Sequence, residues 1–234
     1  MTQSISDEQE YDNRPRRPSG PFVRLGAKLY SGIRTVQKQI VPYAAEWRRQ
    51  NAIEMARTDR PLWVVLGDSM AQGIGAGAYD HGWPGQLRQL LAADGREYRL
   101  VNLSISGARI ADVLEHQLPA MQSLGIRPEL VTVMIGSNDL VRRKYRRHAQ
   151  ADFELLLAQL PRGSYVANLL GNGSAPLAMD RRLRQAAADG RVGLVDMRGR
   201  GPHSWHGLVA EDHFHPNEAG YREIARVFGE ALGL

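Results

Sequence analysis

The chain has 234 residues, of which 43% are hydrophobic and 24% charged, with a formal net charge of +5 and no cysteine. This length predicts one sizeable core, enough for an α/β domain with an extension but not for a second full domain. The lack of cysteine excludes disulfides and thiolate chemistry, and apolar runs such as residues 130–135 are far shorter than the ~20 residues of a membrane-spanning helix.

Residues 1–20 form a polar stretch that is rich in proline and arginine. The stretch lacks the apolar core and the small-residue cleavage site of a secretory signal. We therefore expect a disordered tail and a cytoplasmic protein.

Basic residues are concentrated between Arg14 and Arg49, where nine Lys or Arg stand against a single acid, Glu46. Residues 61–234, by contrast, hold 19 basic and 18 acidic residues. An acidic partner or an anionic membrane is therefore expected to meet the leading segment rather than the rest of the chain.

Residues 21–60 have the periodicity of a helical extension. Up to Pro42, apolar residues recur at intervals of three and four with basic residues between them, which predicts a basic amphipathic helix; a second helix is expected over 43–57. The apolar positions are Phe22, Leu25, Leu29, Ile33, Val36 and Ile40. Two interpretations stay open: this stripe packs on the main domain, or residues 21–50 lie on an anionic membrane.

The main domain is predicted to span residues 61–234, where short β-branched apolar segments alternate with longer segments of helical period. Strands are predicted at 62–66, 100–103, 130–135, 165–170 and 192–195, and helices at 83–93, 110–124, 139–160, 177–188 and 218–232. The alternation predicts a flavodoxin-like, three-layer α/β/α fold with a five-stranded parallel sheet. Such sheets bind ligands beyond the carboxyl ends of their strands.

Four short polar stretches fall at those places. They are Gly67-Asp68-Ser69 after the first strand, residues 102–107 after the second, residues 136–139 after the third, and residues 212–217 before the last helix. Turn chemistry explains each of them singly, because turns use the same residue types. Their order along the chain and their shared edge of the sheet indicate a site.

From about residue 62 to residue 234, the chain resembles the SGNH, or GDSL-type, hydrolase family, which is named for a serine, a glycine, an asparagine and a histidine in four sequence blocks. Ser69, Gly107, Asn138 and His215 match the blocks in order. Met70 departs from the leucine of many members, and we expect this side chain only to pack beside the serine.

The resemblance implies that Ser69 is a nucleophile, that His215 is its base, and that Asp212 holds the imidazole tautomer. It also implies an oxyanion hole made of the backbone N–H groups of Ser69 and Gly107 and the side-chain amide of Asn138. No metal or organic cofactor is expected. The chain has no Gly-x-Ser-x-Gly elbow, so it differs from the usual α/β-hydrolases.

Two other kinds of site fit the sequence less well. Residues 73–78 partly imitate a dinucleotide fingerprint, but they begin well after the strand end and no ribose-binding acid follows at a clear strand end. A zinc site near the C-terminus would lack a known metalloprotease spacing, and Pro216 argues against a histidine pair on one helix face. Its candidate ligands are His203, His206, Asp212, His213 and His215.

A basic stretch follows Asn138, and its arginines fall on one face of a predicted helix. They are Arg142, Arg143, Arg146 and Arg147. Positive charge near a helix start opposes the helix dipole, so helix stability does not account for it. Either the face is simply solvated, or it guides an anionic ester such as a phospholipid headgroup or an acyl-CoA.

The sequence therefore predicts a serine esterase of lipase-like type that cleaves a carboxylic ester or thioester through an acyl-serine intermediate. Thioesterase and lysophospholipase activities fall within this prediction. The alternatives are an acyltransferase with the same residues, and a non-enzymatic protein that binds lipid through its N-terminal helix. No nucleic-acid partner is expected, since the chain lacks the necessary aromatic platforms and motifs.

Overall fold

The structure, a computed structural model, describes residues 11–18, 29–141 and 143–234. At its centre is a five-stranded sheet in which every neighbouring pair is parallel, with the order β2-β1-β3-β4-β5. The strands are β1 (Leu62–Gly67), β2 (Arg99–Asn102), β3 (Leu130–Met134), β4 (Ser164–Ala167) and β5 (Val192–Val195). The predicted flavodoxin-like fold is confirmed.

The helices lie close to the predicted ones. The N-terminal extension forms α1 (Ser31–Gln37) and α2 (Ile40–Met55), and the main domain forms a 3₁₀ turn (Tyr79–His81), α3 (Trp83–Ala93), α4 (Ile110–Asp112), a π-helical turn (Val113–Gln117), α5 (Leu118–Ser123), α6 (Ser137–Val141), α7 (Arg143–Gln159), α8 (Ser174–Ala188), α9 (Met197–Arg200) and α10 (Glu218–Ala231). In the described part of the chain, no helix is both long and apolar enough to cross a bilayer.

The sheet separates two apolar layers. Side chains alternate along a strand, so Val64 of β1 packs with α4, α7 and α8 on one side, while Trp63 and Val65 pack with α2, α3 and α10 on the other. On the second side, Trp83 and Phe228 stack with parallel rings 4.2 Å apart and join α3 to α10. Every residue of β1 is buried, which gives the polar residues after it a rigid support.

The described part of the extension packs on the main domain. Trp47 of α2 is 3% exposed and donates its indole N–H to the Gln72 carbonyl, and Val36 of α1 is also buried. Leu29, in contrast, is 70% exposed. The predicted stripe is therefore only partly buried, and its positions Phe22 and Leu25 lie outside the described residues.

The predicted disordered tail over residues 1–20 is wrong for part of its length. Residues 1–10, 19 and 20 lie outside the described residues, but Asn13 is fully buried and the Tyr11 hydroxyl donates to the Leu103 carbonyl at 2.7 Å. Composition indicated disorder because the stretch is polar. Hydrogen bonds to the end of β2, together with the packing of Tyr11 against the apolar core, hold it in place.

Candidate active site

Ser69 lies immediately beyond β1, at the carboxyl edge of the sheet. The backbone turns sharply there, because the N–H groups of Ala71 and Gln72 both donate to the Asp68 carbonyl. Ser69 Oγ is 2.9 Å from His215 Nε2, and both residues are almost fully buried. The arrangement places a base within hydrogen-bond distance of the hydroxyl.

A tight turn brings Asp212 and His215 to the same side of the backbone. His213 adopts a left-handed conformation (φ 56°) within it, which histidine tolerates better than most non-glycine residues. Asp212 Oδ1 accepts the backbone N–H groups of Phe214 and His215, and Asp212 Oδ2 is 2.6 Å from His215 Nδ1. The turn thus directs Nδ1 to the carboxylate and Nε2 to Ser69.

The charge of Asp212 is stabilised by its partners. Burial alone would raise its pKa, but the side-chain and backbone hydrogen bonds from His215, together with the charge of that ring, hold the pKa below its ordinary value. Asp212 is therefore a carboxylate at neutral pH and accepts the Nδ1 proton. The free lone pair of His215 then lies at Nε2, on the side of Ser69.

Two backbone N–H groups at the site are available as donors. Among the described residues, neither the Ser69 N–H nor the Gly107 N–H forms a hydrogen bond. Gly107 has a φ of 79°, and a Cβ at this residue would meet open space. Glycine is therefore favoured here by its backbone conformation.

Asn138, the third predicted donor, is already engaged. Its Nδ2 lies 3.0 Å from the Ala108 carbonyl and 3.3 Å from Asp68 Oδ2. The second contact is long for a charge-assisted hydrogen bond, so it is the one that a stronger acceptor would displace.

Asp68 is a charged neighbour that sequence reasoning left without a role, although its place directly before Ser69 could have indicated one. Burial raises the pKa of Asp68 to about 6, while the Met70 N–H and the charge of His215 lower it. At pH 7 the carboxylate form prevails and accepts from Asn138.

Asp139 joins the third polar stretch to residues just after the second, which the sequence did not reveal. It is 2% exposed, and its Oδ2 accepts the Ile110 N–H at 3.1 Å, so α6 is joined to the start of α4. Burial raises the pKa of Asp139 to about 7, although the Ile110 N–H and the charge of Arg109 lower it.

The four predicted substrate-contacting arginines differ in their surroundings. Arg142 lies outside the described residues, and Arg143 and Arg147 are exposed on α7. Arg146 instead donates to the Leu140 carbonyl and so caps α6. A further cation, Arg109, lies 4.1 Å over the ring of Tyr145.

The three other histidines near the C-terminus do not belong to the hydrogen-bonded line that joins Ser69, His215 and Asp212. His203, His206 and His213 are exposed. Within the described ranges, no group of three or more His, Asp or Glu side chains is placed to hold a metal ion.

Comparison with known proteins identifies the family of the chain and the type of reaction that it catalyses. TesA, an esterase of Pseudomonas aeruginosa, is 29% identical over 160 residues, which are 65% of this chain and 78% of that protein. A lipase of Streptomyces rimosus is 34% identical over 106 residues, which are 43% of this chain and 38% of the lipase. A crystal structure of TesA superposes with a TM-score of 0.58 at 25% identity, covering 73% of this chain and 97% of that one. Residues 65–223 match the GDSL-like Lipase/Acylhydrolase family, so the chain belongs to this family and is a carboxylic ester hydrolase.

Proposed function

We propose that the chain hydrolyses its ester through an acyl-serine intermediate, with Ser69 as the nucleophile, His215 as general base and acid, and Asp212 as the partner of the imidazole. The observation that carries the proposal is the unbroken line from Ser69 Oγ to His215 Nε2 (2.9 Å) and from His215 Nδ1 to Asp212 Oδ2 (2.6 Å). A serine hydroxyl becomes a useful nucleophile only when a base accepts its proton.

The acylation step begins when Ser69 Oγ attacks the ester carbonyl carbon and His215 Nε2 takes the hydroxyl proton. The tetrahedral intermediate then collapses, its bond to the leaving oxygen breaks, and His215 protonates that oxygen to release the alcohol. In deacylation, water attacks the acyl carbon and gives a proton to His215. The bond from the acyl carbon to Ser69 Oγ then breaks, His215 returns the proton to Oγ, and the carboxylic acid is released.

The negative oxygen of each tetrahedral intermediate would be held by the N–H groups of Ser69 and Gly107 and by Asn138. The first two donors have no partner among the described residues. Asn138 would move its second N–H from Asp68 Oδ2, where the contact is 3.3 Å, to the oxyanion. Preorganised donors of this kind stabilise the transition state more than the bound ester.

The test is the release of p-nitrophenol from p-nitrophenyl esters of increasing chain length, from acetyl to palmitoyl. Ser69→Ala is expected to lower turnover by about 10⁴-fold or more while leaving the fold intact. Ser123→Ala is the matched control, because this exposed hydroxyl only caps its own helix. Retention of turnover by Ser69→Ala would overturn the proposal.

We also propose that the substrate carries negative charge beyond its acyl group. Arg143 and Arg147 are exposed on the helix that follows Asn138, and Arg109 lies close to Gly107 in the chain. The charge-reversed variant Arg143→Glu/Arg147→Glu should lose turnover of an anionic ester selectively. Equal loss on a neutral ester of the same chain length would contradict this.

A peripheral contact with anionic lipid is a further part of the proposal, in keeping with the predicted cytoplasmic location. It is supported by the exposure of Leu29 and Tyr30 beside the exposed cations Arg34 and Lys38. Arg34→Glu/Lys38→Glu should weaken co-sedimentation of the full chain with vesicles rich in phosphatidylserine. Unchanged co-sedimentation would remove the lipid contact.

A further inference from the structure

The loop that carries Gly107 is held from behind by side-chain amides. We call residues 104–107 the oxyanion loop. The Ser104 carbonyl accepts two of these amides, Asn13 Nδ2 and Gln72 Nε2, both at 2.9 Å. Gln72 Oε1 also accepts the N–H and the hydroxyl of Ser106. Besides the backbone hydrogen bond from the Ile105 N–H to the Gly67 carbonyl, the loop that ends in the proposed oxyanion donor is thus held by side chains.

Asn13 is the most remote of these residues in sequence and is fully buried. Besides Ser104, its Nδ2 donates to the Asn102 carbonyl at 2.8 Å, and its Oδ1 accepts from Asn51. Its backbone carbonyl accepts Gln72 Nε2 at 2.9 Å. All polar atoms of its side chain are therefore engaged, and all its partners belong to the end of β2, the oxyanion loop or the residues that hold them.

The segment around Asn13 is anchored at both ends. On one side the Tyr11 hydroxyl donates to the Leu103 carbonyl at 2.7 Å. On the other side Arg17 pairs with Asp112, whose carboxylate also accepts the Arg109 N–H at 2.8 Å. The segment thus contacts the chain immediately before the oxyanion loop and shortly after it.

The contacts suit a positioning role better than a purely stabilising one. Without the Asn13 side chain, the Asn102 carbonyl would keep Asn51 and the Ser104 carbonyl would keep Gln72, so no buried carbonyl would be left without a donor. The fold would persist. The oxyanion loop, however, would lose one of the two side-chain donors to the Ser104 carbonyl.

We propose that Asn13 is a positioning residue for ester hydrolysis, holding the oxyanion loop so that the Gly107 N–H points at the reacting carbonyl oxygen. The inference rests on the proposed function above. Asn13 lies far outside residues 65–223, which match the family, so a segment that precedes the family domain would position part of its catalytic centre.

The test compares the full chain with Asn13→Asp, which keeps the size of the side chain but turns an oxygen toward the Asn102 and Ser104 carbonyls. We expect kcat for a p-nitrophenyl ester to fall about 10- to 100-fold with little change in KM, since a displaced donor weakens transition-state binding alone. Arg14→Ala is the matched control, because Arg14 is exposed and, within the described residues, bonds only to Asp12. It should leave kcat unchanged.

Two further variants separate positioning from stability. Asn13→Ala introduces no repulsion, so it folds even if Asn13→Asp does not, and it should lower kcat in the same direction. Val192→Ala removes buried methyl groups in β5, distant from the site, and should lower Tm without lowering kcat. Native kcat in folded Asn13→Ala would overturn the inference, whereas turnover that survives Ser69→Ala would overturn the proposed function instead.

Discussion

At the scale of single residues, the site depends on where side-chain amides and carboxylates direct their hydrogen bonds. Asn138 shows this most clearly, because its Nδ2 is shared between the Ala108 carbonyl and Asp68 Oδ2 before any substrate arrives. The shorter contact, to the Ala108 carbonyl, therefore holds the amide in place, and the longer one, to Asp68 Oδ2, is available for exchange.

The corresponding prediction is that Asn138→Ala lowers kcat about 100- to 1000-fold with a small effect on KM, since one oxyanion donor is lost. Steady-state kinetics on p-nitrophenyl butyrate measure the split between kcat and KM. Asn138→Leu serves as the control of shape, because it keeps about the same side-chain volume and loses the donor without placing a second carboxylate beside Asp68. A large rise in KM at unchanged kcat would show that Asn138 binds the ground state instead.

At the scale of elements, the π-helical turn places Gln117 beneath the end of β1. Its side chain is fully buried and pairs with the Gly67 backbone in both directions: Gln117 Oε1 accepts the Gly67 N–H and Nε2 donates to the Gly67 carbonyl, each at 2.8 Å. The amide thus takes the place of a neighbouring strand just before Asp68 and Ser69. π-Helical turns are rare and recur at functional sites.

We predict that Gln117→Leu lowers the free energy of unfolding by about 1–3 kcal/mol, because the buried Gly67 N–H loses its partner. The Gly67 carbonyl keeps the Ile105 N–H, which limits the loss. Urea unfolding of this variant is compared with Gln122→Leu, an exposed position on α5. An equal effect at both positions would contradict the assigned role of Gln117.

Asp139 gives the contact between α6 and α4 a dependence on pH. Because its pKa is raised to about 7 in the folded protein, the folded state holds this proton more tightly than the unfolded chain does. Its contribution to stability therefore falls as pH rises from about 4 to about 7 and is constant above that.

The free energy of unfolding of the native chain should therefore decrease between pH 5 and pH 8 as Asp139 loses its proton. For Asp139→Asn, which cannot titrate, this decrease should be smaller by about 2 kcal/mol. The asparagine keeps an acceptor for the Ile110 N–H, so the comparison isolates the charge. Urea unfolding at both pH values measures the difference. Parallel pH profiles would mean that Asp139 does not titrate in this range.

At the scale of the whole molecule, the extension and the main domain are one folding unit. Trp47 shares the apolar layer of α3 and α10, and Asn51 exchanges hydrogen bonds with Asn102 at the end of β2. Gln39 and Tyr43 bind the backbone of the loop at Ala76. These contacts predict that the expected domain boundary near residue 61 is not a boundary of independent folding.

We accordingly predict that a chain lacking residues 1–60 loses solubility or unfolds about 10 °C or more below the full chain, since the apolar layer that α2 shares with α3 and α10 becomes partly exposed. Thermal unfolding followed by circular dichroism provides the measurement. Equal melting temperatures would show that residues 61–234 are self-sufficient.

The sequence was sufficient for the features that depend on periodicity and residue order. The alternation of strands and helices predicted the sheet, and the order of the four polar stretches predicted a site at the carboxyl edge of the sheet. Asn13, Gln72 and Gln117 could not be found in this way. Their side-chain amides form hydrogen bonds with backbone groups that are distant in the sequence. Hydrogen bonds of this kind produce no repeating pattern of residues.

The most direct test of the proposed mechanism is to find which residue carries the acyl group. The full chain is treated with a fluorophosphonate, which traps an activated serine, and the adduct is located by peptide mass spectrometry. We expect an adduct on Ser69 that is absent from Ser69→Ala and from protein inactivated by Asp212→Asn/His215→Ala. An adduct on another residue, together with ester turnover in Ser69→Ala, would contradict it.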